Sequence, residues 1–577
     1  VKILFLTHAF NGLAQRLFVE LRARGHEVSI ELDVNDAATR QAIARVQPQV
    51  VIAPFLKRAI PGDVWSSVPC LIVHPGIPGD RGPSALDWAI LEGEREWGVT
   101  VLQAVAEMDA GPVWAYRTFP MRLAPKSSLY RREVTEAAVA AVLEAIEKMR
   151  RGESPAPADS LGVAAHGRLR PAMKQADRAI DWSRHTTLEV LRRIHCADGF
   201  PGVRDAVAGR DVYLYGAHEE AMIRGGVPGD VIAVRDGAIL RSTVDGAVWI
   251  THLKPAGQGE DAIKRPAAEV LGNALAGVAR LDVPVDSPSA DATWREIRYE
   301  ERGPVGVLHF AFHNGAMSTA QCRRLVEALR LARSRPTRVL LLAGGPDFWS
   351  NGIHLNAIEA SPGPADASWE NINAIDDVAR EIVTDVDRLT VSALAGNAGA
   401  GGVFLALAAD RVLLRSGVVL NPHYKGMGNL YGSEYWTYLL PRRVGEEQAR
   451  EITLRRLPMG AAEAVACGLA DERIAGDPAA FLEASIERAA QLADDFCWSA
   501  FLEAKRAARE RDEAAKPLER YRVEELARMK LNFYGFDPSY HVARYHFVYK
   551  LPKARTPHYL ARPSAGSATH PIRAAGR

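Results

Sequence analysis

The sequence predicts an α/β fold class, with two α/β regions separated by a small β-domain. Three observations support this. Short apolar runs alternate with amphipathic helical segments over about the first 150 residues. Pro/Ser/Gly-rich stretches at 152–162 and 282–292 break the chain. The same alternation returns from about residue 294.

The elements follow in order. "VKILFL" (1–6) reads as a buried strand and "GLAQRLFVELRARG" (12–25) as an amphipathic helix. "VSIEL", "QVVIAP" and "CLIVHP" are further strands, "SALDWAILEG" a helix, "VTVLQAV" a strand and "TEAAVAAVLEAIEKMRRG" a long helix. This alternation predicts a doubly wound parallel sheet over 1–165, with ligands outside the carboxyl ends of its strands. "RDVYLY", "GDVIAV", "AILRST" and "AVWITHL", with Asp-Gly turns between them, predict an OB-like β-barrel domain over 175–282. Residues 293–550 predict a second α/β domain with a helical tail, and 551–577 an irregular end.

The totals exclude several classes. Of the 577 residues, 47% are hydrophobic and 24% charged, as in globular proteins. Lys+Arg is 71 against Asp+Glu 70, so no charge excess points to nucleic acid. The five cysteines form no CxxC pair, and no metal site is expected. No apolar run approaches a membrane span, no cleavable leader is evident, and a cytoplasmic location is expected.

Two stretches carry chemistry. His74 ends the strand "CLIVHP", and Asp109 sits in the turn "MDAGPVW" after a later strand. A carboxylate beside an imidazole fixes its tautomer, and the pair suits acyl transfer. The run "HPGIPGDRGPSALDWAI" to "MDAGPVW" resembles the 10-formyltetrahydrofolate-dependent formyltransferases. "VVIAPFLKRAIP" is similar to their folate-binding strand and loop, "AIDWSRHTTLEVLRRIHCADGFPGV" and the β-domain resemble the carboxy-terminal domain of methionyl-tRNA formyltransferase, and the whole resemblance covers about residues 1–280. The resemblance implies catalytic His74 and Asp109, with the pterin near Phe55, Leu56, Lys57 and Arg58. There is one departure: Ile72 stands where the family keeps an Asn. An aliphatic side chain donates no hydrogen bond to an oxyanion, and losing one such donor costs roughly 10²–10³ in rate. Either the acceptor is easier than an amine, as a thiol is, or another donor substitutes.

In the second stretch, "GGPDFWSNGIHL" and "AGNAGAGGVFLALAADR" follow strands, and the latter opens a helix whose first N–H groups are free to meet a ligand. A dinucleotide fold is disfavoured because the third glycine of its fingerprint is missing. Together these stretches resemble the crotonase family of enoyl-CoA hydratases and isomerases over about 294–500. The resemblance implies an oxyanion hole from the N–H groups of Ile353 and Gly401, with Gly352, Gly402, Lys505 and Arg506 toward coenzyme A. The two glutamate positions of hydratases are Phe404 and Tyr424 here, so hydration is not expected. Glu434, in "NPHYKGMGNLYGSEYW", supplies a carboxylate where hydratases have glycine.

The two halves in this order resemble the HypX/HoxX proteins of NiFe-hydrogenase maturation over nearly the whole chain. That resemblance implies a carbon monoxide source. The formyl group of 10-formyltetrahydrofolate passes to coenzyme A, and formyl-CoA is split into CO and CoA by Tyr424 and Glu434, without a metal. The implied partners are small-molecule substrates and the maturation proteins that receive CO. Two other readings fit the same residues. One is an amine formyltransferase with an unrelated acyl-CoA activity, and the other a non-catalytic folate and CoA scaffold.

Overall fold

The computed structural model describes residues 1–161, 167–257, 262–288 and 293–562. Parts of both expected linkers and the last fifteen residues of the expected irregular end, 563–577, lie outside the described residues. The chain forms two compact units: Val1–Ile180 with Leu188–Val203 and Pro552–Arg577, and Asp181–Thr187 with Arg204–Leu551.

The first unit is built on six strands: β1 (Lys2–Thr7), β2 (Glu27–Leu32), β3 (Val50–Ala53), β4 (Cys70–His74), β5 (Glu96–Gln103) and β6 (Val113–Pro120), in the order β2-β1-β3-β4-β5-β6. β1 to β4 are parallel, and their residues are buried on both faces, as crossover helices require. The expectation of a wholly parallel sheet is corrected at the last two strands. β5 runs antiparallel to β4, with Leu71 opposite Gln103 and His74 opposite Thr100, and β6 is antiparallel to β5. The helix Ala85–Glu92 ends in a left-handed Gly93, and only a few residues separate it from β5, so the chain returns along β4 instead of crossing over.

The irregular end is corrected in part. Thr556 Oγ1 accepts from Leu32 N (2.8 Å) and donates to Glu31 Oε1 (2.7 Å), and His558–Ala561 is a short helix.

The second unit contains both remaining folds. Strands Arg210–Glu220, Ala247–Pro255, Ala238–Ser242 and Val231–Arg235 pair antiparallel in that order, an open path as in partly open barrels. This β-domain joins the rest of the unit through stacked rings of His252 and His313, 4.1 Å apart, and an Arg324 cation shared by Asp236 and Glu296.

Beyond it a hairpin, Ile297–Arg302 and Val305–Phe310, leads into parallel strands Val339–Gly344, Leu389–Leu394, Arg411–Arg415 and Glu472–Ile474. A small second sheet of Phe348–Ser350, Asn397–Gly399, Val419–Asn421 and Met459–Gly460 lies outside their carboxyl ends. The helices Pro364–Val383 and Leu518–Tyr534 pack on it through one continuous apolar core. Among the described residues no helix is long and apolar enough to cross a membrane.

Candidate active sites

His74 is the last residue of β4, at the edge where the parallel strands end. Because β5 runs antiparallel, its end lies beside Leu71, and the loop after it folds back along β4 to reach His74. Asp109 arrives on that loop in a left-handed conformation (φ 55°), with Oδ2 3.6 Å from His74 Nδ1. Gly82 N–H donates to the same Oδ2 (3.3 Å).

A carboxylate that sequence reasoning missed sits on the other ring nitrogen: Asp80 Oδ1 is 3.3 Å from His74 Nε2. Asp80 is 1% exposed, and its charge is balanced by buried Arg170, whose Nε donates to Oδ2 at 3.1 Å. Arg170 also reaches Glu92 and lies over the Trp97 ring at 5.4 Å. The only sequence signal for Asp80 was its place six residues after His74 in a Gly/Pro turn. That turn closes through Asp80 N–H to Ile77 O (3.0 Å). Removing the guanidinium leaves a buried carboxylate unpaired. Arg170→Met is therefore expected to destabilise this unit by about 3 kcal/mol, read as a lowered Tm by calorimetry.

Ile72 lies two residues before His74 on the same side of β4, half-buried. Phe55, Leu56, Lys57 and Arg58 follow β3 at the same edge. Phe55 O accepts from His8 N (2.7 Å), and the Phe55 ring meets His8 and Tyr130 edge-on at 5.9 and 6.4 Å. Phe55 and Leu56 are half-buried, Lys57 is exposed, and Arg58 pairs with Asp33 and Asp36.

The second site lies where the parallel strands and the small sheet outside their carboxyl ends meet. Helix Gly401–Leu407 opens with Gly401, whose N–H has no carbonyl one turn earlier to bond. Gly352, in the left-handed region at φ 79°, brings the chain alongside: a side-chain carbon built on Gly352 would lie 3.5 Å from Gly401 N. Ile353 follows directly. Gly402 instead packs against a strand, where an added carbon would meet Ser350 O at 2.0 Å. Lys505 Nζ pairs with Asp410 (2.7 Å) and Arg388 O (2.9 Å), at the far end of the helix from Gly401. Arg506 bonds Val386 O and pairs with Asp387.

Phe404 and Tyr424 stack at 5.2 Å, so the two positions taken from the hydratases do meet. The Tyr424 hydroxyl donates to Glu434 Oε2 at 2.5 Å and is 2.9 Å from Ser433 O. The Glu434 carboxyl rests on Gly401, where a side-chain carbon would fall 2.0 Å from Oε1.

Helix Trp436–Val444 begins only after Glu434 and Tyr435, which are both left-handed, at φ 59° and 57°. Two such residues in succession cost about 1–2 kcal/mol each. The turn persists because its N–H groups are bonded. Glu434 N–H donates to Asp376 Oδ1 (2.7 Å), Tyr435 N–H to Glu525 Oε2 (3.0 Å) and Thr437 N–H to Glu525 Oε1 (2.8 Å).

Burial first, and then Asp376, pushes the Glu434 carboxyl up to about 8. Burial, and then the neighbouring Glu434, pushes the Tyr424 phenol well above its usual value. Sequence reasoning missed Asp376 and Glu525. They lie on amphipathic helices whose charges read as a solvated face. Among the described residues no cluster of His, Cys, Asp or Glu is placed to hold a metal ion.

Comparison with known proteins bears on both sites. The formyl transferase model matches residues 23–146, the formyl transferase C-terminal domain 172–265, and the enoyl-CoA hydratase/isomerase model 305–527. The hydrogenase maturation factor HoxX of Bradyrhizobium diazoefficiens is 56% identical over 97% of both chains. A methionyl-tRNA formyltransferase of Dechloromonas aromatica is 29% identical over 45% of this chain and 82% of its own. The crystal structure of HypX from Aquifex aeolicus in complex with tetrahydrofolic acid aligns with a TM-score of 0.93 at 50% identity, covering 97% of this chain and 98% of that one. A formyltransferase half, a crotonase-like half and near-full-length identity agree: the chain belongs to the HypX/HoxX family of hydrogenase maturation factors.

Proposed function

We propose that the chain makes carbon monoxide from 10-formyltetrahydrofolate in two steps joined by coenzyme A. The observation that carries the second step is the buried Tyr424–Glu434 pair at 2.5 Å, resting on Gly401.

In the first site His74 takes the proton of the CoA thiol, the thiolate attacks the formyl carbon, and the carbon–nitrogen bond breaks as His74 returns that proton to the leaving tetrahydrofolate nitrogen. Asp109 and Asp80 orient the imidazole. The folate binds along Phe55–Arg58, at the strand edge that carries His74. The relative's complex with tetrahydrofolic acid supports a folate as the ligand.

In the second site Ile353 and Gly401 N–H polarise the carbonyl of formyl-CoA. Glu434 takes the formyl proton, the carbon–sulfur pair leaves with sulfur, and CO departs. The thiolate regains a proton of matched affinity from Glu434, since an ordinary thiol titrates at about 8.5. Tyr424, held protonated by burial, orients the Glu434 carboxyl. The apolar stack of Phe404 and Tyr424 keeps water from the thioester.

The test is direct. Purified protein with 10-formyltetrahydrofolate and CoA is expected to convert deoxymyoglobin to its CO spectrum, and formate without CO would defeat the reading. A second expectation concerns the cradle. Gly401→Ala keeps the fold but pushes the Glu434 carboxyl aside, and CO release from supplied formyl-CoA is expected to fall about a hundredfold, measured by the same trap.

A further inference from the structure

We infer that Asp376 and Glu525 are positioning residues for Glu434: their carboxyl groups hold the left-handed turn that aims it and set its affinity for a proton. The inference rests on the reading of Glu434 as the group that accepts the formyl proton.

The geometry is specific. Asp376 comes from helix Pro364–Val383 and Glu525 from helix Leu518–Tyr534, some 150 residues apart in sequence, and both side chains are buried. Each accepts from the backbone of the turn. Asp376 Oδ1 takes Glu434 N–H, and Glu525 takes the N–H groups of Tyr435 and Thr437. The Ser433 hydroxyl lies between them, 2.7 Å from Asp376 Oδ2 and 3.4 Å from Glu525 Oε2. Ser433 N–H turns instead to Glu434 Oε2 (3.2 Å). A backbone turn gripped in this way fixes the direction of the Glu434 side chain without any bond from these two residues to its carboxyl group.

The same arrangement crowds like charges. Asp376, Glu434 and Glu525 are each 1% exposed or less. One guanidinium faces them, Arg522, with Nε 3.9 Å from Asp376 Oδ2, and it is also paired with Asp377 at 2.7 Å. Two neutral groups also face Glu434: the Tyr424 phenol and the Cys322 thiol of helix Thr319–Arg333. Burial, with Asp376 next, raises both Glu434 and Glu525 to about 8, and Asp376 itself is raised to about 6 by burial. Near neutral pH Glu434 and Glu525 therefore hold protons while Asp376 is the ionised member, and Glu434 ionises at a pH that its neighbours influence.

The experiment supplies formyl-CoA directly to the full chain and follows CO release against pH with deoxymyoglobin. Wild type is expected to show a rate that rises through pH 8, because Glu434 accepts a proton only when ionised. Asp376→Asn removes a negative charge and keeps an oxygen for Glu434 N–H, so the rising limb moves down by about one unit. Arg522→Gln removes the cation and moves the limb up. Loss of rate at every pH with both limbs unmoved means a purely structural role and overturns the inference. Infrared difference spectra of the wild type give a readout that does not depend on these variants folding. A protonated carboxyl band at neutral pH that Glu434→Gln removes supports the inference, and its absence overturns it. If Glu434→Gln instead releases CO at the native rate, the underlying reading of Glu434 fails, and the inference falls with it.

Discussion

Glu434→Gln is expected to stop CO release while formyl transfer from the folate continues within about twofold of the native rate. The amide keeps the size of the carboxyl and still accepts the Tyr424 hydroxyl, so the pocket holds its shape. It cannot take a proton. Positioned acid–base groups contribute about 10²–10⁴ in rate, and a loss of that order is the expected reading in the myoglobin trap. Tyr424→Phe tests the orienting bond. Glu434 then keeps only the Ser433 N–H at 3.2 Å, and a smaller loss is expected. Equal loss of folate deformylation and CO would place Glu434 in the fold rather than in the chemistry.

His74→Ala gives the second large effect, with the opposite signature. Formyl transfer is expected to fall by about 10³, since the proton acceptor that two carboxylates orient is gone. CO production from 10-formyltetrahydrofolate falls equally. Formyl-CoA added from outside restores CO at the native rate, because Glu434 is untouched. Failure of that rescue would mean that the two sites are not successive steps. Asp80→Asn is the graded form of this experiment, with His74 in place and one orienting charge removed.

Much of this was legible in the sequence because the informative residues sit close to backbone signals. His74 ends an apolar strand and Asp109 sits in an Asp-Ala-Gly-Pro turn, and both are read locally. Phe404 and Tyr424 are placed by the resemblance to the hydratases. The β5–β6 hairpin was missed because periodicity shows that a strand is buried, not which way it runs. Asp80, Asp376 and Glu525 were missed for a different reason. A carboxylate that folds inward to bond a backbone or an arginine looks, in sequence, like one facing water. Lys505 and Arg506 show the converse: they suggested a phosphate site, but the fold gives them to Asp410 and Asp387.

The helix Leu518–Tyr534 does more than supply Glu525. Asn532 Oδ1 accepts Tyr431 N–H at 3.0 Å, and Met529 Sδ lies 3.1 Å from Gly432 N, so this one helix grips the loop between Tyr424 and Glu434 along its length. That helix follows Glu434 by about eighty residues, so the shape of the loop is set by a distant stretch of the chain and not by its own sequence alone.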